Sequence, residues 1–248
     1  MQRYKLCIEY IGTQYMGWQK QENAPSVQSK IERAFKDFCG ENVEVKGAGR
    51  TDSGVHATGM IAHVDLKLPT TAKEIMGALN FYLKHADIAI LSVEPANEDF
   101  DARFSAQQRG YEYIILNRKV RSVMWHERAW HVKDHLDEEA MQAAAQLLVG
   151  KKIDFTSFRN VHCQANNPVR TLDYITVQRD GDLVKIKVAA RSFLHNQVRI
   201  IVGTLKEIGM GKINQQDLLN IIAAKDRTKA PQTAPACGLY FSFANYIV

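Results

Sequence analysis

Residues 47–59 read GAGRTDSGVHATG. Glycines at 47, 49, 54 and 59 let this backbone turn sharply, and between them stand Arg50, Thr51, Asp52, Ser53 and His56. Three kinds of chemistry suit such a run. A phosphate loop fits least. Asp52 stands where the dinucleotide fingerprint needs its third glycine, and no Gly-Lys-Ser/Thr follows. An Asx-type turn is the ordinary fate of an aspartate in a Gly-rich loop. The density of polar side chains favours the third reading, a catalytic loop. A working carboxylate must be ionised and held still, and an ordinary aspartate, with a pKa of about 3.9, is ionised near neutral pH. Burial opposes ionisation and a nearby guanidinium supports it. Arg50, two residues away, can play that part or bind a phosphate bidentately. Asp52 is therefore the candidate catalytic carboxylate, and His56 reads as loop support.

The elements that must position this loop follow from periodicity. Residues 3–10 alternate as a strand. Ser26 suits a helix N-cap, with Val27, Ile31, Ala34, Phe35 and Phe38 at helical spacing after it and Gly40 as the stop. Strands are expected at 43–47 and 58–66. A helix capped by Thr71 then carries Ile75, Leu79, Tyr82 and Leu83 on one face, and a strand follows at 87–94. The same order recurs: a strand at 109–117, a helix from Asp137 to Gly150, and a hairpin of 171–179 and 182–190 around Asp180-Gly181. Helices at 194–208 and near 216–224 and a strand at 239–247 complete it. The pattern predicts an α+β fold of two related split βαββαβ (ferredoxin/RRM-like) halves, 1–102 and 103–248. They are expected to join into one extended, mainly antiparallel sheet with helices packed on it and a central catalytic cleft.

The chain has 248 residues, 46% of them hydrophobic and 24% charged, enough to form a sizeable core. No apolar run approaches the roughly 20 residues of a membrane span, and no signal-peptide pattern opens the chain. Cys7, Cys39, Cys163 and Cys237 are scattered, which argues against a zinc ribbon or disulfide framework and for reduced thiols in the cytoplasm. His131 and His135 stand four apart, but no HExxH accompanies them, so no metal site is assigned. A net charge of +5 is a small push toward a polyanionic partner.

GRTDSGVHATG resembles the catalytic motif of the TruA family of tRNA pseudouridine synthases. The resemblance runs along nearly the whole chain, through YIGTQYMGWQKQ, SVQSKIE, ARFSAQQRGYEYIILN, DFTSFRN, CQANNPVRTL, RSFLHNQVRIIVG and AAKDRTKAPQTAPACGLYF. Ser53, Gly110 and Gln197 depart from the residues the family commonly carries at those places. The resemblance implies isomerisation of uridine to pseudouridine. The N-glycosidic bond breaks, the uracil rotates and a C-glycosidic bond forms, with no cofactor or metal. It implies tRNA as partner, uridines 38, 39 and 40 of the anticodon stem-loop as targets, and a homodimer. Asp52 matches the catalytic aspartate; attack on the sugar, attack on the base and removal of a sugar proton all stay open.

The resemblance also names substrate-binding candidates. Tyr111 matches an active-site tyrosine, whose ring can stack on a flipped base and whose hydroxyl can move a proton; both stay open. On its residues alone it is more simply a core aromatic, as is Tyr113 on the same strand face. Arg199, on a largely apolar helix, must find an anion or water, and is expected to partner Asp52. Arg50 and Leu239 complete the set. Two other classes compete. In an RNA-binding module without catalysis the sheet aromatics would stack bases, but the RNP-like run is absent. A small-molecule enzyme using Asp52 as general base predicts no affinity for tRNA.

Overall fold

The computed structural model describes residues 1–22 and 24–246. Along the chain run β1 (Gln2–Tyr10), α1 (Val27–Cys39), β2 (Lys46–Gly47), β3 (His56–Leu66), α2 (Ala72–Leu83) and β4 (Ile88–Ala96). Next come β5 (Ala106–Asn117), β6 (Trp130–Val132), α3 (Glu138–Gln146), β7 (Ile153–Asp154), β8 (Val169–Arg170), β9 (Leu172–Asp180) and β10 (Leu183–Ala190). Then α4 (Gln197–Gly209), α5 (Gln215–Ala224) and β11 (Leu239–Tyr246) follow. The chain is α+β, with mainly antiparallel strands and five α-helices among the described residues. It forms two compact units, Met1–Gln107 with Tyr240–Val248, and Gln108–Leu239.

In the first unit β1 lies between β4 and β3, antiparallel to both. Its alternate residues Tyr4, Leu6, Ile8 and Tyr10 are buried, as the period-two pattern requires. The far edge of β3 is shared. β2 pairs with it at Lys46↔His63, and β11 runs parallel to its start at Tyr240↔His56. α1 begins with a reciprocal cap between Ser26 and Ser29, worth about 1 kcal/mol in comparable helices. It buries Val27, Ile31, Ala34 and Phe35, each fully buried large side chain contributing roughly 1.5–3 kcal/mol. α1 and α2 pack together, and α2 covers β4.

In the second unit β10 lies between β5 and β9, antiparallel to both, and β6 adds to β5 in parallel at Ile115↔Trp130. α3 packs on β9 and on α4. Val198, Ile200, Ile201, Val202, Leu205 and Ile208 make α4 buried on nearly every side.

Several boundaries differ from the expectation. The strand expected at 43–47 shrinks to two residues, because the Val45 N–H donates to Glu32 Oε1 (3.2 Å) instead of a ladder. The helix expected from 194 starts at Gln197, since Asn196 sits in the left-handed region at φ 63°. α3 stops at Gln146, and the Gly150 N–H turns to the Leu172 carbonyl. Tyr82 is exposed rather than on the apolar face, which narrows to Ile75, Leu79 and Leu83. Ile247, in the expected last strand, lies outside the described residues.

Candidate active site

The loop bearing Asp52 spans residues 48–55, between β2 and β3. It is clamped by the end of β1 and the segment that follows it. Tyr10 Oη and Thr51 Oγ1 share a buried hydrogen bond of 2.8 Å. The Trp18 N–H donates to the Thr51 carbonyl (3.1 Å), and the Gly54 N–H donates to the Tyr15 carbonyl (3.3 Å). Ser53 Oγ also donates to the Tyr15 carbonyl, at 3.3 Å. Within the loop the Val55 N–H donates to the Asp52 carbonyl (3.2 Å). The loop leaves little room for its neighbours. Gly17 has φ +89°, and a Cβ there would stand 2.5 Å from the Thr51 oxygen. Asp52 itself is half-buried, with its backbone bracketed by these contacts.

His56 is fully buried and accepts from the Gly12 N–H at Nδ1 (2.9 Å), while its ring lies 4.7 Å from that of Tyr240. These contacts tie the start of β3 to Gly12 and to Tyr240. Arg50 is exposed and donates from Nε to Gln19 Oε1 at 3.1 Å.

The remaining sequence candidates lie in the second unit. Tyr111 and Tyr113 project on one face of β5 with different fates. Tyr113 is fully buried and its hydroxyl donates to the Pro235 carbonyl (2.7 Å). Burial, with Cys237 nearby, holds its phenol well above the ordinary 10.0, against the pull of Arg199. It is a structural donor that keeps its proton. Tyr111 is half-buried, edge-on to Phe193 at 5.2 Å. Arg199 on α4 donates from Nε to the Ala234 carbonyl (2.8 Å) and from Nη1 to Asn196 Oδ1 (3.2 Å), and the Ala234 N–H returns a bond to the Arg199 carbonyl (3.1 Å). One turn on, a Cβ at Gly203 would overlap the Gln232 carbonyl, so the 232–235 segment lies directly on α4. That segment is pinned from the other side by Tyr113 and leads into Leu239, which is buried at the start of β11.

A family model described as tRNA pseudouridine synthase matches residues 6–105 and 144–246. The chain belongs to the tRNA pseudouridine synthase family. The tRNA pseudouridine synthase A of Agrobacterium fabrum is 50% identical over 248 residues, covering 99% of this chain and 93% of that one. That of Brucella ovis is 50% identical over the same span, with 98% of its length covered. Among solved structures, the 3-hydroxy-3-methylglutaryl-coenzyme A reductase of Streptococcus pneumoniae aligns over 92% of this chain and 68% of that one, with a TM-score of 0.23 at 9% identity. The stretches matched to the pseudouridine synthase family contain Arg50, Asp52, Arg199 and Leu239, while Tyr111 falls in the gap between them. No helix among the described residues is long and apolar enough to cross a membrane.

Sequence reasoning missed the clamp and what lies beneath it. Gln28 and Glu32, on the polar flank of the α1 stripe, are buried. Their one available signal was position, each following a stripe residue (Val27, Ile31) by one and standing four apart.

Proposed function

We propose that this chain converts uridine to pseudouridine at positions 38, 39 and 40 in the anticodon stem-loop of tRNAs, with Asp52 as the catalytic carboxylate. The observation that carries this reading is the family match over the segment in which Asp52 stands half-buried on a clamped loop. Loop rigidity matters because catalysis by an ionised side chain depends on holding it in reach of the reacting bond. The reaction is an isomerisation, so every atom lost from the N-glycosidic linkage is accounted for in the C-glycosidic product or as a proton exchanged with water.

Arg50, Tyr111, Arg199 and Leu239 bind the substrate. The Arg50 guanidinium suits a phosphate, and the Tyr111 ring suits a base taken out of the stack, a contact worth roughly 1–3 kcal/mol. Leu239 offers an apolar seat to the uracil. The element order β1-α1-β2-β3-α2-β4 supports reading 1–102 as one split βαββαβ half, and 103–248 is read as its duplicate. The enzyme works in the cytoplasm as a homodimer without a cofactor.

The test is direct. Purified protein and unmodified tRNA, with nothing added, are expected to yield pseudouridine. Asp52→Ala is expected to abolish turnover and retain tRNA binding. Continued turnover by that variant would remove Asp52 from the chemistry, and no product from a full set of tRNAs would sink the assignment.

A further inference from the structure

A line of polar side chains runs from the interior of α1 to the loop. Glu32, 8% exposed, accepts from the Val45 N–H (3.2 Å) and from Gln28 Nε2 (2.9 Å) at Oε1, and meets Lys20 Nζ (2.9 Å) at Oε2. Gln28, 4% exposed, accepts at Oε1 from Gln19 Nε2 (3.0 Å) and from the Lys20 N–H (2.8 Å). Gln19 accepts at Oε1 from Arg50 Nε (3.1 Å). The two ends set the direction of the whole line. A carboxylate can only accept and a guanidinium can only donate, so each amide between them has one satisfying orientation. Glu32 forces the Gln28 nitrogen inward. The Gln28 oxygen then draws the Gln19 nitrogen, and the Gln19 oxygen is left facing Arg50.

We propose that Gln19 is a positioning residue for Arg50, aimed by Gln28 and Glu32. By engaging Nε alone, it orients the planar guanidinium and leaves both Nη groups to a ligand. Among the described residues no other side chain or carbonyl bonds that guanidinium. The ligand is an oxyanion of the RNA backbone, because the fork of N–H donors matches a phosphate. An exposed arginine without such a tether would give up side-chain freedom on binding, and the line removes that cost in advance. The inference rests on the substrate-binding reading of Arg50 made above.

The test is a double-mutant cycle on kcat/KM with unmodified tRNA: Gln19→Met, Arg50→Ala and the pair. Gln19→Met keeps the volume and removes the acceptor, and a fall of about tenfold is expected for loss of one hydrogen bond to a charged group. In the Arg50→Ala background the same change is expected to do nothing, since there is no guanidinium left to aim. A merely structural role would lower both backgrounds alike, so losses that multiply overturn the proposal. So does a parent-like Gln19→Met beside an impaired Arg50→Ala. If Arg50→Ala is itself as active as the parent, the reading of Arg50 falls, and the positioning role with it. Thermal unfolding checks that Gln19→Met folds. Should it not, Gln19→Ala takes its place in the cycle, where it also removes the acceptor for Nε and is read by the same outcomes.

Discussion

Gly17→Ala is expected to cost this enzyme both stability and turnover. Gly17 stands at φ +89°, where an L side chain meets its own backbone, a strain of about 1–2 kcal/mol. The added methyl would lie 2.5 Å from the Thr51 oxygen. That is roughly 1 Å inside the ~3.5 Å at which non-bonded heavy atoms rest comfortably. The obstacle is backbone, so it cannot swing aside as a side chain would. The Thr51 carbonyl must retreat, and its bond from the Trp18 N–H weakens, adding about 0.5–1.5 kcal/mol. Destabilisation of about 1.5–3.5 kcal/mol is expected from these two contributions. Asp52 is the next residue, and a displacement of about 1 Å at a reacting group lowers turnover about a hundredfold. Single-turnover formation of pseudouridine and urea unfolding read the two effects separately. Gly77→Ala is the matched control, an exposed α2 position with open space around it, expected to stabilise by about 0.5–1 kcal/mol and leave turnover unchanged. Turnover within about threefold of the parent for Gly17→Ala would refute the argument that the clamp holds the loop.

Two further outcomes are expected. His63 is 2% exposed, with Nδ1 accepting from the Ala102 N–H (3.0 Å). Burial pushes its pKa below 6.5 despite Asp101 nearby, so the unfolded chain takes up the proton more readily than the folded one. Stability from this group is whole above about pH 6.5 and is lost as pH falls below it toward the folded value. Urea midpoints between pH 7.5 and 5 should fall with acid and flatten in His63→Gln; equal slopes in both proteins would contradict this. Tyr111→Ala is expected to lower kcat/KM about 10- to 100-fold through loss of stacking, and an unchanged value would remove Tyr111 from the site. Tyr111→Phe keeps the ring against Phe193, so full activity there assigns the residue to stacking alone.

Local patterns in this chain were legible because they repeat at the pitch of one element. The alternation of 3–10 gave β1, the spacing of Val27, Ile31, Ala34 and Phe35 with Ser26 and Gly40 gave α1, and Asp180-Gly181 gave its hairpin. The chemistry of residues 47–59 and the motifs strung along the chain pointed to the family that the comparisons then found. What stayed hidden were choices between chemically equivalent groups. Tyr111 and Tyr113 share a strand face, and only the Pro235 carbonyl and the close pass of Gly238 make Tyr113 the buried one. The Val45 N–H looks like a ladder donor until the Glu32 carboxylate, 13 residues away, takes it. The tether on Arg50 comes from Gln19, 31 residues earlier, itself aimed from α1. Periodicity reports the local backbone of one element, whereas hydrogen bonds over such separations depend on where folding brings each donor. The sequence by itself therefore marked which side chains can do chemistry, and the tertiary structure decided how Arg50 and the loop carrying Asp52 are held.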